Sequence, residues 1–191
     1  MSSARLDKLE SRVKETFAGC TLERLGDALV LRVEAADLLT TMTRLRDEDE
    51  LDFKMLVDIA GVHYPERQKP LEVVYQLLSV YSNHRLRIKV ALAEGEIIPS
   101  VIEIWSVADW YERELYDMFG IPVSGHPDLR RILTDYDFEG HPLRKDFPVT
   151  GLYEMRYDEN LGRVVQEPLQ LTADNVTRDN REYYGKKRRR R

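Results

Sequence analysis

Leu6, Leu9, Val13 and Phe17 recur at three- and four-residue steps between charged neighbours. That spacing predicts an amphipathic helix over residues 5–17, with Gly19 as its stop. Residues 21–25 and 28–33 read as two short strands joined by the tight turn Gly26-Asp27. A second helix follows, with Asp37 as its N-cap and Leu38, Leu39, Met42 and Leu45 on one face. Three strands come next, over 53–59, 71–80 and 86–92. The first two are nearly continuous apolar runs, the pattern of strands covered on both faces. Ser82-Asn83-His84-Arg85 supplies the turn between the second and third. The polar loop 64–70 contains Pro65 and ends on Pro70. Residues 101–105 read as a last strand. Ser106 then opens a third helix: Asp109 completes a capping box, Tyr111, Leu115 and Met118 form the inner stripe, and Gly120 with Pro122 ends it. Helices packed on a mostly antiparallel sheet make an α+β fold.

Beyond residue 120 the pattern changes. Five of the eight prolines and six of the ten glycines lie from Gly120 onward, and neither a helical nor a strand period persists. Phe138, Phe147, Tyr153, Tyr157, Tyr183 and Tyr184 still supply apolar area that a solvated tail lacks. The chain thus divides into an α+β domain over 1–120 and a long, extended, largely irregular C-terminal arm over 121–191. At about 3.3 Å per residue the arm reaches at most roughly 230 Å. It either orders against a partner or folds back on its own domain as an irregular layer, and the regular aromatics favour the partner.

Charge sharpens this division. The net charge is −5, but Lys186 to Arg191 are six consecutive cations, so residues 1–185 carry about −11. An acidic body argues against nucleic-acid binding, which needs a basic face. The basic tail is a solvated terminus or a dock for an acidic surface. Cys20 is the only cysteine. It cannot support a disulfide within the chain, nor an iron–sulfur cluster carried by this chain alone, which takes about four cysteine ligands. No apolar run approaches the roughly 18 residues of a membrane span. The N-terminal residues carry acids from Asp7 onward and no apolar stretch, so they read as neither a secretory signal nor a transit peptide.

Candidate chemistry is sparse. No glycine-rich phosphate cradle, HExxH, CxxC or GxSxG pattern is present. A metal set of His126, Asp128, Asp135, Asp137 and His141 is one reading. Both histidines, however, sit in Gly-His-Pro contexts, which favour hydrogen bonds to the backbone that fix loop shape. Glu112 and Glu114, two apart on a helix, do not face one another. Arg113 and Asp117 are spaced to pair, a contact worth about 0.3–0.5 kcal/mol if exposed. Residues 126–148 mix charges with prolines and aromatics. Their Arg130, Arg131, Arg144 and Phe147 belong to types enriched in protein–protein contacts.

Together, Glu112-Arg113-Glu114, Asp117-Met118-Phe119, His126, Arg130 and Ile132-Leu133 carry a family resemblance. They resemble the diagnostic pattern of the C-type, or 30-kDa, subunit of the respiratory NADH:quinone oxidoreductase, complex I. The run ILTDY-x-FEGHPLRKDFP over 132–148, Arg156-Tyr157-Asp158, Asp58-Ile59-Ala60-Gly61-Val62 and residues 73–79 resemble it too. Asp137 departs by standing where glycine is expected. The resemblance implies a peripheral-arm subunit with no cofactor, metal or catalytic residue of its own, in a translocase that uses FMN, iron–sulfur clusters, NADH and quinone. It implies contact with the large quinone-site (49-kDa, D-type) subunit, the small terminal-cluster (B-type) subunit and other peripheral-arm subunits. It also implies a place on the cytoplasmic side of the bacterial inner membrane, or the matrix side in an organelle. Glu112, Arg113, Glu114, Asp117, Met118, Phe119, His126, Arg130, Arg131, Arg144 and Phe147 would serve structure or interface. Alternatives are the equivalent subunit of a membrane-bound hydrogenase or related dehydrogenase, a metal-dependent hydrolase, and a nucleic-acid binder acting through the arginine tail.

Overall fold

The computed structural model describes residues 3–26, 28–148 and 153–168. Two compact units are present, Met1–Asp146 and Phe147–Arg191.

The first unit is a five-stranded sheet with helices against one face. Helix α1 (Ser3–Thr16) leads into β1 (Thr21–Leu25) and β2 (Ala28–Arg32); a single 3-10 turn at Ala35–Asp37 precedes α2 (Leu38–Asp47). Then come β3 (Met55–His63), β4 (Leu71–Ser79), β5 (His84–Leu92), β6 (Ile98–Pro99), α3 (Ala108–Phe119) and β7 (Val123–Ser124). The strand order is β1-β2-β5-β4-β3, and β6 pairs with β7. Every neighbouring pair in the five-stranded sheet is antiparallel except β2–β5, the one junction made by a crossover through α2, β3 and β4.

Register explains the core. Leu29, Leu86, Leu77 and Leu56 lie in one row across four strands, and Leu31, Ile88, Tyr75 and Ile59 in another. All eight are buried, in one cluster with Leu6, Leu9, Val13 and Phe17 of the α1 segment, Leu38, Met42 and Leu45 of α2, and Leu115, Met118 and Phe119 of α3. A bulge between Leu56 and Asp58 lets both Leu56 and Ile59 face inward, which an unbroken period-two strand could not do.

Several sequence expectations are corrected. The last strand expected over 101–105 is a helical turn: Ile104 and Trp105 donate back to the Val101 carbonyl, and Ile98–Pro99 is the strand instead. Asp37 stands at the N-cap of α2 as expected but makes no side-chain cap bond; Val107, not Ser106, holds the N-cap position of α3, and the Asp109 carboxylate faces His126, 3.2 Å away. Leu39 is exposed; the inner face of α2 is Leu38, Thr41, Met42 and Leu45, the i, i+3, i+4, i+7 set. Strand β3 starts two residues late and runs to His63, since the bulge and Gly61 interrupt the pattern. Asp137 is not among the residues with positive φ, so glycine is not required there. Residues 121–146, assigned to the arm for their lack of period, belong to the first compact unit.

Within the second unit, β8 (Tyr153–Asp158) and β9 (Arg163–Pro168) form an antiparallel hairpin, where the sequence reading has no strand. The signal is nonetheless present: Tyr153, Met155 and Tyr157 alternate with Glu154, Arg156 and Asp158. The basic tail and Tyr183-Tyr184 lie outside the described residues.

Candidate functional site

Helix α3 and the loop that follows it gather nearly every residue singled out from the sequence. The helix ends at Gly120, whose φ of 70° places it in the left-handed region and whose N–H donates to the Tyr116 carbonyl at 2.8 Å. The next three orphan carbonyls of α3 are capped from the GHPLR stretch. His141 Nδ1 donates to Asp117 O (2.9 Å), Leu143 N to Met118 O (3.1 Å) and Arg144 Nε to Phe119 O (2.6 Å). Arg144 also meets Glu94 at 2.6 Å. A cation beside the negative end of the helix dipole adds to the capping. The close approach needs glycine, because a Cβ on Gly120 would run into the His141 ring.

Asp117 organises the loop. Its Oδ2 accepts the backbone N–H groups of Ile132 (3.0 Å), Leu133 (2.8 Å) and Thr134 (2.9 Å). Its Oδ1 accepts Arg131 Nη1 (2.7 Å) and the Thr134 hydroxyl (2.5 Å). Burial pushes this carboxyl up, but the bonds from Thr134, Leu133 and Arg131 outweigh it and hold the group well below the usual carboxylate range. The pair expected between Arg113 and Asp117 is therefore absent. Arg113 instead donates to the carbonyls of Arg130 and Arg131, both at 3.2 Å, because the loop runs directly over it.

The start of α3 is fixed by other partners. Glu112, fully buried, accepts the Ser100 hydroxyl (2.6 Å) and Val101 N–H (2.7 Å). Burial raises its carboxyl above the usual value, and Asp109 adds to this against the opposing effect of those two bonds and of His126. His126 Nε2 faces the carbonyl and carboxylate of Asp109, both at 3.2 Å, while Nδ1 accepts Asp128 N–H at 3.1 Å; the ring proton therefore sits on Nε2. Both His126 and His141 thus fix loop shape through backbone groups. Met118 and Phe119 are core residues, and the Phe119 ring lies where a Cβ on Gly61 would be.

What remains exposed forms a patch. Trp110 is 61 % exposed, Leu133 65 % and Tyr136 76 %. Arg113 lies 5.6 Å from the Trp110 ring centre, and exposed Arg130 reaches the Tyr136 hydroxyl at 3.3 Å and Asp128 at 2.8 Å. Glu114 is exposed at the same end of the helix; Phe147 opens the second unit, partly buried. Sequence reasoning missed Ser100 and Thr134 as parts of this arrangement. Ser100 and Thr134 act across long stretches of chain, at spacings that no local period reveals.

The profile of the family described as "Respiratory-chain NADH dehydrogenase, 30 Kd subunit" matches residues 31–153. The chain belongs to this family. It is 51 % identical over 171 residues to the C-type subunit of the NADH-quinone oxidoreductase of Methylobacterium sp. (strain 4-46), covering 88 % of this chain and 80 % of that one. It is 54 % identical over 168 residues to the protein of the same name from Brucella abortus (strain 2308), covering 83 % of each. The fold also resembles the trypsin-resistant fragment (1–134) of Nqo5, with TM-score 0.57, 29 % identity, 65 % of this chain and 99 % of that one covered. A chain of the archaeal membrane-bound sulfane sulfur reductase shares the fold, with TM-score 0.65, 23 % identity and 75 % and 85 % coverage. These relatives favour the NADH:quinone oxidoreductase family over the hydrogenase-type alternative. The family match, residues 31–153, takes in β3, β4, β5, α3 and the Asp117 loop. Among the described residues, no helix is long and apolar enough to cross a membrane.

Proposed function

We propose that this chain is a non-catalytic, peripheral-arm subunit of the proton-pumping NADH:quinone oxidoreductase. It holds electron-carrying neighbours in register, on the cytoplasmic side of a bacterial inner membrane or the matrix side in an organelle. In this reading FMN, the iron–sulfur clusters, NADH and quinone are bound by other chains. The partners are the large quinone-site subunit, the small terminal-cluster subunit and other peripheral-arm subunits.

One observation carries the proposal. The buried ionisable groups of the family pattern are engaged in holding the loop and helix together: Asp117 by five hydrogen bonds, Glu112 by two, and His126 between Asp109 and Asp128. What this framework displays is Trp110, Arg113, Arg130 and Tyr136, of the types that dominate binding energy at protein interfaces, together with exposed Leu133.

The test is Trp110→Glu in the full chain, expressed with its neighbouring subunits. Trp110 is exposed, so the isolated variant should fold normally, while the yield of assembled complex falls. Complex that does assemble should keep flavin-site NADH oxidation. Loss of that activity in fully assembled complex would contradict a scaffolding role.

A further inference from the structure

The helices cover one face of the five-stranded sheet, and the residues of the opposite face follow from the strand register. Strand β2 contributes Val30 and Arg32, β5 Arg85, Arg87, Lys89 and Ala91, β4 Glu72, Val74 and Gln76, and β3 Asp58, Ala60 and Val62. Val30 and Val74 are buried yet stand outside the main core cluster, screened by their longer neighbours on this face. The face has a built centre. Glu72, almost wholly buried, accepts Lys89 at 2.6 Å and lies 3.4 Å from both Arg32 and Arg67. Arg32 is shared with Glu23 at 2.9 Å, and the Arg67 guanidinium stacks 3.5 Å above the Tyr64 ring centre. Arg87 is steadied by neutral Gln76 at 3.2 Å, so its charge is not cancelled by that partner. Arg85 is exposed beside it.

The sign of this face runs against the rest of the molecule. Arg32, Arg67, Arg85, Arg87 and Lys89 face three carboxylates, Glu23, Glu72 and Asp58, so the face is net positive on a chain of net charge −5. Arg32, Arg67, Arg87 and Lys89 are held in place by their partners, and the same face carries the small apolar residues Ala60 and Val62 on β3 and Ala91 on β5. An antiparallel sheet can leave one face to water, but such faces usually mix the two signs along each strand. Strand β5 instead presents Arg85, Arg87 and Lys89 in succession.

From this geometry we infer a second docking surface: the sheet face that no described helix of the first unit covers seats an acidic, Asp/Glu-rich segment of another protein chain. The inference rests on the reading of the chain as a subunit of a larger assembly. It assigns to the sheet a contact separate from the Trp110–Tyr136 patch. A second copy of this chain is a poor occupant, since it would bring the same positive face.

Photo-crosslinking in the purified, full complex tests this. A benzophenone is attached to cysteine at Ala91→Cys in a Cys20→Ser background, and in a parallel preparation at Tyr136→Cys. The Ala91 probe should crosslink to a peptide of another subunit rich in Asp and Glu. In a separate arm, Arg85→Glu with Arg87→Glu leaves the Glu72 cluster intact. These changes should leave the free chain's thermal unfolding unshifted and weaken its retention in the complex about tenfold, most strongly at low salt. A crosslink to lipid, to a non-acidic peptide or to nothing, while the Tyr136 probe still captures a subunit, overturns the sheet-face inference alone. Failure of both probes to reach another chain overturns it together with the subunit reading.

Discussion

Asp117 and Glu112 lie on the same helix and are both buried, yet their carboxyls move in opposite directions from the ordinary value. Asp117 meets five donors, one of them a guanidinium; Glu112 meets two neutral donors and the charge of Asp109 nearby. The difference gives two separable pH signatures. Asp117 titrates lower folded than unfolded, so its stabilisation is complete above the unfolded value of about 3.9 and fades as pH falls below it. Asp117→Asn replaces an acceptor by an amide donor and leaves Arg131 without its anion. It should cost about 2–4 kcal/mol at pH 7 in urea unfolding, a deficit that narrows below about pH 4. A deficit independent of pH would show that charge is not what Asp117 supplies. Glu112 titrates higher folded than unfolded, so its ionisation costs stability as pH rises from about 4.3 through the folded value. Glu112→Gln keeps an acceptor for the Val101 N–H, puts an amide donor against the Ser100 hydroxyl, which can accept in place of donating, and removes that ionisation. The variant should match or exceed the parent at pH 7 and show a flatter stability profile between about pH 4 and 7. A pronounced loss at pH 7 with an unchanged slope would mean that the carboxylate itself is required.

At the scale of elements, the end of α3 is where local backbone and distant loop meet. Gly120→Ala carries two costs: the left-handed backbone, about 1–2 kcal/mol, and the collision with the His141 ring. His141→Ala removes the ring and frees one α3 carbonyl. A double-mutant cycle should therefore be non-additive, the glycine substitution costing less once the imidazole is gone. Additive losses in thermal unfolding would mean that His141 does not set the space at Gly120. The same junction shows what the amino-acid pattern could reveal. Helix α1, the β1–β2 hairpin and strands β4 and β5 were legible because burial on one face imposes a period, as Leu86, Ile88, Val90 and Leu92 do on β5. The Asp117 loop was not, because one carboxylate and three helix carbonyls hold residues 131–144 with no repeat at all. Its residues could be picked out by resemblance, while their tasks became plain only from their partners. The turn at 101–105 misled for a related reason: its apolar residues are buried as in a strand, but Glu112 takes the Val101 N–H that a ladder would need.

For the molecule as a whole, the second unit poses a question of stability. On one face of the β8–β9 hairpin lie Tyr153, Met155, Tyr157 and Val164, all more than half exposed. The other face carries Glu154, Arg156, Asp158, Arg163 and Glu167, with Arg156 and Glu167 paired at 2.6 Å. A two-stranded hairpin is marginally stable in water unless another layer covers its apolar face. Exposed side chains contribute little to the free chain, so Met155→Ser with Tyr157→Ser should shift its main unfolding transition by no more than about 0.5 kcal/mol. If the hairpin seats against a neighbouring subunit, the same pair should sharply reduce the share of chain retained when the complex is purified. That pairing of outcomes separates an interface from a fold. A destabilised free chain would make the hairpin part of this molecule's own packing, and full retention would remove it from the contact surface altogether.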